Sequence, residues 1–268
     1  MDTITNHYAG QTVDFHLLAD SAVLAGQIML VAGAETNRVE DTIKRILQTS
    51  SFEHYDVFVV TTGIIITLED RRYGTISLTR RVGEKQTNLG NIARVNAISR
   101  NYCQGALSLE ETFRQLTNME SVRYPDWLTF LSICITAVSF TLILGGSAVD
   151  CLIAGINSIY FIISSLINRK LRVNGFVFKM VASFFMAFTS IAFQQLFIPS
   201  LKLEPLIAGS IMAMLPGLAM TNGIRDTLAG DYMSGSARIV EAFVTAASLA
   251  LGIGAGLALG NIILGGLL

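Results

Sequence analysis

Residues 215–238, "LPGLAMTNGIRDTLAGDYMSGSAR", lie between two apolar stretches yet hold Asn222, Arg225, Asp226, Asp231 and Arg238. Just ahead of the charges, Pro216-Gly217 interrupts the apolar run "PLIAGSIMAMLPGLAM" (205–220). Two readings compete. Either the stretch is a solvated loop between two membrane spans, or it is where a polar solute crosses. The same choice decides whether 205–220 traverses a bilayer or breaks and re-enters.

The rest of the chain shows why those charges stand out. Only 15% of the 268 residues are charged and 51% are hydrophobic, against about a quarter charged in ordinary globular proteins. Residues 1–124 hold 12 Lys/Arg and 14 Asp/Glu of the 39 charges, which leaves 13 for residues 125–268. The first proline, Pro125, stands at the break. The composition predicts a polar α+β domain at 1–124 followed by an all-α membrane domain at 125–268.

Five segments approach the about 20 apolar residues that a helical span needs: 127–144, 147–167, 175–197, 205–220 and 239–260. The fourth is short and carries the Pro-Gly break. The loop "NRKLRVN" (168–174) has Arg169, Lys170 and Arg172 without an acid, so the positive-inside tendency makes it cytoplasmic. Counting crossings then puts the polar domain and the 215–238 stretch on the cytoplasmic side and the C-terminus outside. Gly252, Gly256 and Gly260 recur every four residues in the last segment, and such a stripe lets another helix approach closely in lipid. Asp150 and Glu241 fall near span ends, where interfacial snorkelling competes with a functional role.

In the polar half, Leu17, Leu24, Ile28 and Val31 follow helical spacing, with Gly33 able to end the helix. Asn37 with Glu40 suits the cap of a second helix, whose face is Val39, Ile43, Ile46 and Leu47. "HYDVFVVTTGIIITLED" reads as one or two strands, "RRYG" as a turn and "TISLTRRV" as a half-buried strand. Two helices follow, the last opened by a Ser108/Glu111 capping box. The dense polar cluster "GAETNRVED" (33–41) is either an exposed helix corner or a surface where Arg38 and Glu40 meet the membrane domain or a passing solute.

Several classes drop out. Balanced charges leave no nucleic-acid footprint. Cys103, Cys134 and Cys151 have no paired spacing and read as reduced core thiols. His7, His16 and His54 have no partner at metal-ligand spacing, and nothing calls for a cofactor. "MDTITNHYAGQTVDF" has neither a basic n-region nor an apolar run, so no cleavable signal is expected. HExxH and GxSxG are absent and "LAGD" departs from the GxGD pattern of intramembrane aspartyl proteases, so no enzyme is expected.

"AGAETNRVEDTIKRI", "RYPDWLTF" and "LPGLAMTNGIRDTLAGDYMSGSARIVEA" together resemble the threonine/serine exporter (ThrE) family, and within it the split YjjP/YjjB branch associated with succinate. The resemblance covers about residues 14–260. It implies a cytoplasmic domain followed by five spans, an inner-membrane location and export of a small carboxylate-bearing metabolite (threonine/serine or a dicarboxylate such as succinate). It also implies a separate YjjB-like small membrane subunit, because fused members carry a second membrane block; a homo-oligomer is the alternative assembly. A second block continuing from an external end would be inverted relative to the first, a common transporter design. Without a Walker motif, proton-motive force is the expected drive.

Under this reading Asn222 caps a short helix "GIRDTLA" ending at Gly230, and Arg225 and Arg238 bind carboxylates bidentately. Asp226, Asp231 or Glu241 then holds an amino group or a coupling proton, or the acids merely neutralise the arginines. The competing function is a membrane-tethered sensor or scaffold with the polar domain as its active part.

Overall fold

The computed structural model describes residues 14–50, 52–70, 74–83, 86–171 and 174–265. Their order is α1 (Phe15–Val31), α2 (Thr36–Leu47), β1 (His54–Val60), β2 (Gly63–Asp70), β3 (Gly74–Arg81), α3 (Leu89–Cys103) and α4 (Leu109–Thr117). Then come α5 (Asp126–Ile143), α6 (Ala148–Leu171), α7 (Gly175–Leu196), α8 (Leu203–Ile211), a 3₁₀ turn (Met212–Met214), α9 (Gly217–Leu228) and α10 (Tyr232–Leu264). The chain forms two compact units. One takes Met1–Arg123 and Leu218–Ile239, the other Tyr124–Gly217 and Val240–Leu268.

In the first unit β1, β2 and β3 make an antiparallel meander, with Val60 opposite Gly63 across the Thr61-Thr62 turn. The β-branched run therefore forms two strands. Alternation puts Val59, Ile64, Ile66 and Leu68 in the core and leaves Phe58 and Ile65 exposed. Helices α1 to α4 complete the core. Asp14 caps α1 by accepting from the His16 and Leu17 amides at 3.0 and 3.1 Å. The buried face of α1 is Leu18, Ala22, Ala25, Met29 and Leu30. Leu17, Leu24, Ile28 and Val31 lie at its margin, because small residues let α1 pack more closely than its largest side chains suggest. Val39, Ile43, Ile46 and Leu47 form the buried face of α2 as expected. Ser108 accepts from the Glu111 amide at 3.1 Å, while Glu111 turns to Gln115 and Arg114.

Four described helices are long and apolar enough to span a membrane: Asp126–Ile143, Ala148–Asn168, Gly175–Leu196 and Tyr232–Leu264. Segment 203–228 is a bent pair of helices, and counting it as one span makes five. The break falls at Leu215-Pro216, where the proline ring prevents continuation. The membrane-associated part is thus all-α, and the chain is a multi-pass membrane protein. Arg172, Leu268, His7, the Arg71-Arg72-Tyr73 turn and the side chains of Arg169 and Lys170 lie outside the described residues.

One expectation for the second unit changes, and another is met within the chain. Asp150 does not snorkel: it is fully buried and accepts from the backbone amides of Ser147 (2.7 Å) and Lys202 (3.0 Å). It ties the start of α6 to the start of α8. The glycine stripe is already occupied within the chain. Gly252 lies against Met180 O and Ser183, Gly256 against Phe184 O and Ala187, and Gly260 against Ile191, all on α7. Ser183 Oγ donates to Leu249 O (3.2 Å) and Gln195 to Asn261 (3.0 Å) along the same seam.

Candidate functional site

The two polar patches of the sequence meet in the first unit. Helix α1 ends at Gly33, whose φ of 88° is the left-handed value glycine tolerates. The chain then passes through Ala34 and Glu35 into α2. The first turn of α2 has no acid, and Glu35, at the cap position, makes no side-chain cap bond. Asn37 is therefore not the cap. The cap comes from 190 residues away: Asp226 Oδ1 accepts from the Thr36 amide (3.1 Å) and Oδ2 from the Thr36 hydroxyl (3.0 Å). A carboxylate here satisfies an orphan amide and meets the positive end of the helix dipole.

Arg238 completes the arrangement. Its Nη2 donates to Ala34 O at 2.6 Å. Its Nε lies 2.9 Å from Asp226 Oδ2, an ion pair by distance in which the N–H vector is not aligned on the oxygen. The Arg238 and Asp226 side chains are only 5% and 1% exposed. Taking two such charges out of water costs several kcal/mol each; here the cost is offset by the pairing and by the backbone partners. Asn222 Nδ2 donates to Gly33 O at 2.9 Å, and Arg225 donates to Glu35, with its side chain still 61% exposed. Asn222, Arg225 and Asp226 share a helix face because they are three and four residues apart. The α9 and α10 backbones come close at Gly223 and Gly235, where added Cβ atoms would meet Gly235 O and Thr227 respectively.

The expected cap role of Asn222 is corrected. Helix α9 begins at Gly217 and ends at Leu228, so Asn222 sits in its interior, and Gly230 (φ 93°) lies in the turn beyond. The earlier start follows from the apolar residues before Asn222, which helical spacing already allows. Asp231 Oδ1 accepts from the Ser234 amide at 3.1 Å and caps α10. Glu241 is exposed and belongs to the second unit. Arg38 is exposed on α2, and Glu40 bonds Lys44 (3.2 Å) and the Val59 amide (3.3 Å). Four candidates, Asn222, Arg225, Asp226 and Arg238, thus gather around residues 33–36; Asp231, Glu241, Arg38 and Glu40 do not take part.

A second polar constellation was not singled out from the sequence. Asn157 of α6 is fully buried, and its Nδ2 donates to Ser190 of α7 (2.9 Å) and Ser210 of α8 (3.3 Å). Its Oδ1 has no partner, an omission that costs about 1–3 kcal/mol in an apolar interior. Close by on the same helices, Thr189 donates to Tyr160 at 2.8 Å. The only sequence signal was a lone asparagine inside the apolar run "AGINSIYF".

Among the described residues no group of three or more His, Cys, Asp or Glu could hold a metal ion. Cys103, Cys134 and Cys151 are free thiols, and burial raises the pKa of Cys103 despite the opposing charge of Arg45.

Known proteins place this geometry in context. No solved structure matches the chain. A "Threonine/serine exporter" of Corynebacterium glutamicum is 23% identical over 90% of this chain and 51% of its own length. A "Probable threonine/serine exporter" of Mycobacterium tuberculosis is 22% identical over 91% of this chain and 47% of its own. The chain therefore spans about half the length of these two relatives. A "Probable succinate transporter subunit YjjP" of Klebsiella aerogenes is 23% identical over 84% of this chain and 87% of its own length. The ThrE family model, described as "Putative threonine/serine exporter", matches residues 20–260. The match takes in both halves of the Asp226 clamp and all three helices around Asn157, and the chain belongs to the ThrE family.

Proposed function

We propose that this chain is the larger subunit of an inner-membrane secondary exporter of small carboxylate-bearing metabolites, threonine/serine or dicarboxylates such as succinate. The observation that carries this reading is the family match across both units, together with a helix broken inside the apolar half. Discontinuous helices line the solute sites of many secondary transporters. Proton-motive force is the proposed drive, since the sequence has no Walker motif. Counterflow of amino acids and dicarboxylates in proteoliposomes tests the reading. If no solute moves, a tethered sensor becomes the better account.

The proposed topology puts residues 1–124 in the cytoplasm, five crossings in the membrane and the C-terminus outside. A parity argument supports the count. Asp226 bonds Thr36, so residue 226 lies on the same side as residue 36, and an even number of crossings separates them. Helices α5, α6 and α7 supply three, and the count becomes even if the bent segment 203–228 crosses once before Asp226.

Of the arginines, Arg225 keeps an exposed guanidinium, and we assign it the capture of a solute carboxylate in exchange for Glu35. The expected result for Arg225→Ala is a rise in transport KM of about tenfold, the loss of one charge-assisted pair. Stability should change by at most about 1 kcal/mol, as for exposed ion pairs. An unaltered KM at normal protein levels would remove Arg225 from the transport path.

The partner is a separate small membrane subunit, supported by the subunit named among the relatives. A second small-residue face of α10 also supports it. Ala246, Ala250, Gly254 and Ala258 are exposed at four-residue intervals, and a Cβ at Gly254 would meet nothing within 4 Å. Small faces of this kind suit close helix pairing in lipid. Gly254→Leu should leave the chain inserted and folded but abolish co-purification of the second subunit. Intact co-purification would move the interface elsewhere.

A further inference from the structure

The orientation of the Asn157 amide follows from its neighbours. Ser190 Oγ and Ser210 Oγ each lie 2.7 Å from a carbonyl of their own helix, Met186 O and Leu206 O. Both hydroxyl protons are donated there, so each serine presents only lone pairs to Asn157. The amide NH₂ must face them and the carbonyl oxygen must face away. Turning the amide over would set acceptor against acceptor. The orphan group is therefore an acceptor, and it is wholly buried.

Its position suits a solute. Asn157 lies about 14 Å along α6 at ~1.5 Å per residue, near the middle of a ~30 Å hydrocarbon layer. Ser210 stands one residue before α8 ends at Ile211 and gives way to the 3₁₀ turn. The C-terminal end of a helix carries partial negative charge and favours a cation nearby. An unpaired acceptor beside a negative helix end calls for a positively charged donor and disfavours a second carboxylate.

We propose that Asn157 Oδ1, at the junction of α6, α7 and α8, accepts a hydrogen bond from the ammonium group of the transported solute. This deepens the export reading and rests on it. It makes the cargo an amino acid rather than a dicarboxylate, with the serines holding the amide in its receptive orientation.

The test measures uptake of labelled L-threonine, 3-hydroxybutyrate (threonine without its amine) and succinate into inverted vesicles carrying the full chain together with its small membrane subunit. Wild-type protein should show a KM for threonine about tenfold below that for 3-hydroxybutyrate, the discrimination expected of a hydrogen bond to a charged group. Asn157→Ala should raise the threonine KM about tenfold and leave the 3-hydroxybutyrate KM unchanged. An equal loss for both solutes in Asn157→Ala would show a structural residue or a water site and overturn the assignment. If that variant fails to insert, the wild-type comparison still decides: no preference for the amine overturns the proposal. Uptake of succinate without threonine would sink the ammonium site and leave the export reading standing. No uptake of any of the three would sink both.

Discussion

Asp226→Ala is expected to release α9 from the polar unit, at a cost of about 3–5 kcal/mol, the range for breaking a buried pair by removing one partner. Two losses combine. Arg238 would keep its charge in a site where only Ala34 O remains to receive it. The α2 amide of Thr36 and its hydroxyl would both lose their acceptor. Limited proteolysis between residues 215 and 238, and the thermal melting of purified protein in detergent, would measure the effect. The double replacement Asp226→Leu with Arg238→Met should recover much of the loss, because a packed apolar pair of similar volume avoids the desolvation cost. A fully stable Asp226→Ala protein with depressed transport would instead assign Asp226 to the solute. In that case the contacts with Thr36 would be incidental.

Gly256→Leu carries the second large effect. The α10 backbone approaches α7 so closely that an added Cβ would meet Phe184 O and Ala187. A backbone carbonyl cannot rotate aside, so the helices must separate along the seam that Ser183 and Leu249 now close. Overpacking costs typically about 1–3 kcal/mol and occasionally more; the rigid partner here points to the upper end. The expected outcome is poor recovery of monodisperse protein on gel filtration. Two residues earlier, Gly254→Leu serves as the control, since that position is open. Equal damage from both replacements would mean that bulk anywhere on α10, rather than the α7 seam, is what the protein refuses.

The sequence by itself determined many of the elements. Charge density falls at Pro125, long apolar runs predict α5, α6, α7 and α10, and β-branched alternation predicts the meander. These readings rest on local periodicity and on the cost of burying backbone in lipid, both of which act within one segment. Motif likeness over nearly the whole chain also placed it in its family. Patterning could not show the partners of a residue. Asn37 and Asn222 read as caps because each precedes a plausible helix, whereas α2 takes its cap from Asp226. The buried side of α1 differs from the positions that spacing picked out because it mixes Leu18, Met29 and Leu30 with alanines and a glycine, which carry little hydrophobic signal. Asn157 looked like one polar residue in an oily helix; only the convergence of α6, α7 and α8 leaves its oxygen unpaired. Contacts over a separation of 190 residues depend on how elements pack, and periodicity along the chain does not record that. The tertiary structure therefore decided that "GAETNRVED" and "LPGLAMTNGIRDTLAGDYMSGSAR" form one clamp, through the need to satisfy a buried helix terminus and a buried charge together.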